Sequence, residues 1–464
     1  MGVEQALSAL LITTLFAFST ICFFVKTRKN IGFEDGFIFG CIFFIYIPLL
    51  YFAYGGILPI DELGFGATEL KTKQFDLEIT NVFYLVMQLF CISVWYGLQI
   101  QPASMNLFPR SGDKADLIRT YALNIPLKLL AGIFAIIYIM LSAYFLTNSG
   151  FAEGGGHWYK SRAESMADSG SVVLLVFMFQ AVRLLLIAVI FSSIVKLMKE
   201  RKNFFKVIAL IVTVFGVGVY EAFSSGNRLY LFIILALFFV NYARNFTVSK
   251  ILLLVIIVPL TLAIGAVGSL YMHFRGAVFS EGLPNLDYIL SLVSKFDFSR
   301  IDISQIVLGA FESVNLTVLL SLINSIDFSN MLWGESYVKF LFILVPRWLW
   351  PGKPETITHL AANHLTAGSE SLSLAVTFLG ELYFNFGYMA ILFSIPLLHL
   401  LKNLTSVVFK VTVGHSSLGD FLKFCFGILF FRMAFSDIFS LLFVLGAALF
   451  ALRILTRDSE GSRK

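Results

Sequence analysis

The stretch SVVLLVFMFQAVRLLLIAVIFSSIVKLMKERKNFFK, residues 171–206, decides the fold. From Ser171 to Val195 it is apolar with a single charge, Arg183. Its tail, KLMKERKNFFK, then carries five cations. About 20 consecutive apolar residues make a helix long enough to cross a bilayer. A backbone in hydrocarbon has to satisfy its own polar groups, so such a run reads as a spanning helix. Lysine and arginine collect at the cytoplasmic ends of spans, so residues 196–206 anchor this helix on the cytoplasmic side.

The same pattern recurs on both sides of this stretch. Spans are expected near 7–25, 36–58, 81–100, 125–147, 171–195, 207–223, 229–243, 251–272, 383–401, 419–435 and 438–455. The fold class is therefore all-α, a polytopic integral membrane protein with about 11 transmembrane helices. Composition agrees: 58% of residues are hydrophobic, 51 are phenylalanine and only 14% are charged. A soluble domain is about 25% charged. The mean hydropathy is +0.85. The N-terminal MGVEQALSALL has no basic residue before its apolar run and reads as a retained first span.

Positive charge orients the spans. Segments 26–35, 101–124, 196–206, 244–250, 402–418 and the tail after 452 hold nineteen Lys plus Arg. The alternate segments 1–6, 59–80, 148–170, 224–228 and 436–437 hold five. The N-terminus is thus expected outside and the C-terminus inside. Residues 1–272 form an N-terminal bundle of about eight helices, 273–382 a long extracytoplasmic loop, and 383–464 the C-terminal helices and tail. Two apolar stretches, 303–326 and 331–345, lie in the loop. The second carries Glu335 and Lys339 and is expected to lie on or partly enter the membrane. If both cross, the count becomes thirteen and the sidedness is unchanged.

The net charge of +5 is no nucleic-acid signature. Cys22, Cys41, Cys91 and Cys425 all fall in apolar runs without CxxC spacing, so neither a disulfide framework nor a zinc site is expected. His359 and His364 are five apart, a poor metal pair on a helix. HExxH, Walker A and Rossmann fingerprints are absent, so no metal and no cofactor is expected.

The unusual charges and aromatics define candidate sites. In EAFSSGNRLYLFIILALFF, 221–239, Asn227 is a candidate N-cap and Arg228 opens the next span. Helix-end amides and a guanidinium there suit a phosphate, though a tight turn with a snorkelling Arg fits equally. In VPRWLWPGKP, 345–354, three prolines impose extended backbone, so Trp348 and Trp350 point one way and Arg347 the other. The tryptophans suit a sugar face or a membrane-interface belt. Arg347 and Lys353 suit phosphate. Arg162 in HWYKSRAE and Arg275 in HFRGAV add outer cations. Glu381 in FLGELYFNFG is a candidate general base in a partly dry site, or the partner of an outer arginine. Arg183 lies deep in its span, where an arginine binds a lipid pyrophosphate or pairs with a buried acid. Arg432, also placed within a span, is expected to pair with Asp437.

Together, SSGNRLYLFIILALFF, FILVPRWLWPGKP and TFLGELYFNFG resemble the Wzy-type polymerases of O-antigen, capsule and enterobacterial common antigen. The resemblance covers the order of spans over most of the chain, and its specific motifs about 40 residues. It implies a GT-C-like fold of the O-antigen ligase/polymerase branch. It implies an undecaprenyl-diphosphate-linked oligosaccharide as substrate and membrane lipid and a chain-length regulator protein as partners. It implies a metal-independent glycosyltransferase of the bacterial inner membrane whose site faces the periplasm. Leaving diphosphate gathers charge, which Arg228, Arg275 and Arg347 would stabilise. Ligases of this branch carry a His-Asn-type pair shortly before a glycine-rich span. The corresponding SLAVTFLGELYFNFG has no histidine, which favours polymerase and leaves Glu381, then His364, as candidate catalytic residues. The alternatives are an O-antigen ligase and a polyprenyl-linked oligosaccharide flippase or other transporter. A transporter should show broken helices at the membrane midplane and repeated halves, and no repeat is visible.

Overall fold

The computed structural model describes residues 3–26, 31–54, 79–99, 127–148, 170–200, 204–225, 229–245, 314–338, 342, 345, 349–350, 352, 355–365, 374–413 and 417–461. Regular structure among these residues is helical throughout. The helices are α1 (Val3–Lys26), α2 (Phe33–Ala53), α3 (Ile79–Leu98), α4 (Leu127–Asn148), α5 (Gly170–Lys199), α6 (Phe204–Ser225) and α7 (Leu229–Asn245). They continue with α8 (Val314–Ser325), α9 (Ile357–Leu365), α10 (Phe378–Phe386), α11 (Ala390–Thr412), α12 (Ser417–Leu429) and α13 (Phe435–Gly461).

Among the described residues, five helical stretches are long and apolar enough to cross a membrane: Ala6–Lys26, Phe33–Ala53, Leu174–Met198, Phe378–Thr412 and Asp437–Ile454. A sixth follows if the pair Asn315–Ser325 and Phe328–Val338, bent by 115°, counts as one broken span. Val82–Leu98, Leu129–Tyr144 and Leu229–Val240 are shorter apolar helices. The chain is a multi-pass helical membrane protein. The expected span at 251–272 lies outside the described residues.

Two expectations change. The stretch 419–435 is not one continuous span, because α12 ends after 13 residues at Leu429. Thirteen residues rise only about 20 Å, short of a roughly 30 Å hydrocarbon core. Arg432 accordingly sits in the turn before α13, where its Nη1 donates to Asn315 Oδ1 at 3.3 Å. Second, part of the stretch 303–326 is core. In α8, Asn315–Ile323 is buried on every side, the signature of a helix surrounded by protein.

Glycine sets the closest crossing. Gly36 and Gly40 of α2 are one turn apart; Gly36 faces Phe424 and Gly427 of α12, and Gly40 faces Ile428 and Phe431. A Cβ at Gly36 would fall well inside van der Waals contact distance of Phe424 O, and one at Gly427 well inside that of Phe33 O. Small residues let backbones approach in this way where lipid gives helices no hydrophobic reason to associate. Phe37 packs edge-on to Trp95 and Phe378 around this crossing, with ring centroids 5.9 and 5.5 Å apart.

Charged positions assigned to one side do meet, at the end of α1, the start of α2, the end of α3 and Lys402 within α11. Lys26 at the end of α1 lies 2.9 Å from Glu34 and 3.1 Å from Asp35, at the start of α2. Tyr96 near the end of α3 donates to Asp35 at 2.7 Å. Lys402 of α11 reaches Glu34 at 3.4 Å and Gln99 at 2.5 Å. At the other end of α3, Phe83 and Tyr84 pack against Tyr388, just before α11. Helices α1, α3 and α11 therefore run in one direction and α2 in the other. Midway, Ser19, Tyr46 and Ser93 share hydrogen bonds, with Ser19 Oγ 2.7 Å and Tyr46 OH 2.9 Å from Ser93 Oγ. Tyr46 closes a π-helical turn, Ile42–Tyr46, a local widening that rotates the residues after it.

Candidate functional site

The TFLGELYFNFG motif becomes α10 and the turn that follows it. Thr377 caps the helix, its hydroxyl accepting from Gly380 N at 3.2 Å, and Phe378 N donates to Phe430 O at 2.8 Å. Glu381 falls in the first turn and is fully buried. Its Oε1 accepts from Ser336 Oγ at 2.7 Å and its Oε2 from Phe435 N at 2.6 Å. Phe435 opens α13, so the carboxylate also sits favourably at a helix N-terminus.

Asn385, one turn on, completes the joint. Its Nδ2 donates to Ser336 Oγ and to Glu381 O, both at 2.8 Å, and its Oδ1 accepts from Gly334 N at 3.0 Å. A helix C-terminus leaves carbonyls without partners. Here a neighbouring segment supplies the donors, with Leu332 N bonded to Phe384 O at 3.0 Å and Trp333 N to Asn385 O at 3.1 Å. Gly387 stops the helix at φ 53°, and a side chain there would collide with Met331. Tyr337 stacks on Phe386 at 5.9 Å and meets Phe435 edge-on at 4.6 Å.

Glu381 therefore joins three pieces: α10, the segment 331–338 and α13. The partly dry site expected for a base is a closed one, since both carboxylate oxygens are engaged and the side chain has no exposure.

A second buried carboxylate lies among α4, α5, α6 and α7. Glu221 Oε1 accepts from Tyr138 OH at 2.6 Å and lies 2.9 Å from Arg183 Nε. The latter is an ion pair by distance whose N–H is not aligned as a hydrogen bond. The Arg183 guanidinium covers the Phe179 ring at 3.6 Å and faces Tyr230 at 5.4 Å. Of the two roles expected for Arg183, the structure places the buried acid beside it. Tyr230 belongs to the SSGNRLYLFIILALFF motif, so this pair adjoins that motif's helix.

His364 ends α9 by tying it to α8, with Nε2 3.1 Å from Ser325 O and its ring 6.0 Å from that of Phe384. Because the acceptor is a carbonyl, that nitrogen carries the proton. Trp350 is 38% exposed and meets Phe342 edge-on at 5.0 Å. Arg162, Arg228, Arg275, Arg347, Trp348 and Lys353 lie outside the described residues.

Ser336, Asn385, Glu221 and Tyr138 were not singled out from the sequence. Asn385 had a signal, being four residues after Glu381 and so on the same helical face. Glu221 had one too, as an acid inside an apolar run. Ser336 and Tyr138 had none, because their partners come from distant segments. No family model matches the chain, and no solved structure matches it.

Proposed function

We propose that the chain is a Wzy-type oligosaccharide repeat-unit polymerase of the bacterial inner membrane, working at the periplasmic face. The acceptor hydroxyl oxygen attacks the anomeric carbon of the growing chain. The bond from that carbon to the undecaprenyl diphosphate breaks, the diphosphate leaves with the electron pair, and the hydroxyl proton passes to a base. Arg228, Arg275 and Arg347, with Lys353 and Arg162, are proposed to meet the diphosphate, while Trp348 and Trp350 meet sugar. No metal or cofactor takes part in this reading. Glu381 acts here as a positioning residue, because its oxygens already hold Ser336 and Phe435.

One observation carries the reading. The TFLGELYFNFG helix is bonded to segment 331–338, which leads within a few residues into FILVPRWLWPGKP. The segment that precedes FILVPRWLWPGKP in the chain is thus fixed to another of the motifs that carry the resemblance.

A transporter is the second reading. It is favoured by the 115° break between Asn315–Ser325 and Phe328–Val338, since discontinuous helices line transport sites. Gene deletion separates the two. Surface lipopolysaccharide bearing single repeat units but no long chains supports the polymerase. Loss of every exported unit supports the transporter, and an unchanged glycan refutes both.

A further inference from the structure

Segment 324–335 holds an exposed aromatic pair on a constrained backbone. Trp333 is the one non-glycine residue with positive φ among the described residues, at 49°. A bulky side chain is disfavoured there and asparagine is among the residues that tolerate it, so retaining Trp calls for a compensating role. The conformation is imposed from both sides. Leu332 N and Trp333 N are bonded to the end of α10, and Gly334 N to Asn385 Oδ1. The fixed backbone leaves the Trp333 side chain 51% exposed, edge-on to Phe328, itself 69% exposed, with centroids 4.9 Å apart.

The residues flanking the pair in sequence are polar and acidic. Asn324, Asp327, Asn330 and Glu335 are exposed, and the nearest cation along the chain is Lys339, after Val338. A membrane-interface belt pairs aromatics with cations that meet lipid phosphate, and acidic flanks repel such headgroups. Carboxylates and amides instead accept and donate to hydroxyls. We propose that Trp333 and Phe328 form a platform for the C–H face of a pyranose ring in a glycan without acidic substituents, with the flanking polar residues taking its hydroxyls. That the ligand is a glycan rests on the polymerase reading; the platform's geometry does not.

The test uses the full-length protein in detergent and neutral oligosaccharides released by mild acid from the host's own surface glycan. Saturation-transfer NMR reads binding in wild type, Trp333→Asn and Trp333→Tyr. Asparagine keeps the backbone conformation and removes the ring; tyrosine restores a ring. The expected result is roughly tenfold weaker binding for Trp333→Asn, about the effect of one lost stacking contact, with an unchanged melting temperature and near-normal binding for Trp333→Tyr. Equal binding by wild type and Trp333→Asn, or none by either, overturns the platform. Fluorescence quenching by brominated lipids in nanodiscs covers the other occupant. Strong quenching of the emission that Trp333→Asn removes would place the ring in the membrane and likewise overturn it. Neither readout depends on polymerisation, so failure of the platform and of the polymerase reading remain distinguishable.

Discussion

Glu381 and Glu221 are both fully buried carboxylates in a membrane protein, yet they are held in different ways. Glu221 sits between a guanidinium and a phenol on long apolar helices. Glu381 accepts from a hydroxyl and a backbone amide at the start of α13, both on segments that are not parts of one straight helix. The first arrangement sets charge against charge and bridges neighbouring helices. The second is a joint, using one carboxylate to fix where a short helix, a turn and a helix start meet. Removing a partner from the first leaves a buried charge. Removing the carboxylate from the second disconnects a segment.

The largest effect should come from the ion pair. Arg183→Ala strands Glu221 in the bundle, a loss of about 3–5 kcal/mol, and should appear as little folded protein in fluorescence-detected size exclusion. Arg183→Met with Glu221→Gln should recover most of it. A double variant no better than Arg183→Ala would show that the pair is not the reason.

Next comes the glycine crossing. Gly36→Ala forces a methyl against Phe424 O and should cost about 1–3 kcal/mol or more. Gly132 of α4 has open space around it, so Gly132→Ala should leave the melting temperature unchanged or raise it. Equal melting temperatures for the two variants would contradict the close approach of α2 and α12.

The joint should respond more finely. Glu381→Gln keeps an acceptor for Ser336 or for Phe435 N but not for both, at about 1–3 kcal/mol. A positioning role predicts a lowered melting temperature with partial chain extension. A general base predicts normal stability with extension lost. The smallest effect is expected from His364→Ala, which removes one bond to Ser325 O, about 1 kcal/mol, and should leave extension measurable in a glycan ladder.

Much of the helix framework was legible. Long apolar runs have few alternatives once water is gone, so α1, α2, α3 and α5 fall where 7–25, 36–58, 81–100 and 171–195 place them. Lys26 and Lys402 also meet at Glu34, as the charge pattern requires, although α11 runs on to Thr412. The sequence marked 303–326 as an apolar stretch and left open whether it crosses; apolar composition does not distinguish a lipid-facing helix from one buried on all sides, as Asn315–Ile323 is. The Gly36-x-x-x-Gly40 spacing was present and unused. The π-turn at Ile42–Tyr46 and the left-handed Trp333 leave no mark in composition. For the candidate site, Glu381 and Arg183 were found as misplaced charges. Their partners were mostly not, since pairing between residues as far apart as Ser336 and Glu381, or Arg183 and Glu221, is decided by tertiary packing.

The most direct test of the polymerase account uses the purified protein in proteoliposomes supplied with undecaprenyl-diphosphate-linked repeat units. The account predicts a ladder of longer glycans with one undecaprenyl diphosphate released per repeat joined, without added metal. Lipid-linked units that change leaflet while remaining single would contradict it.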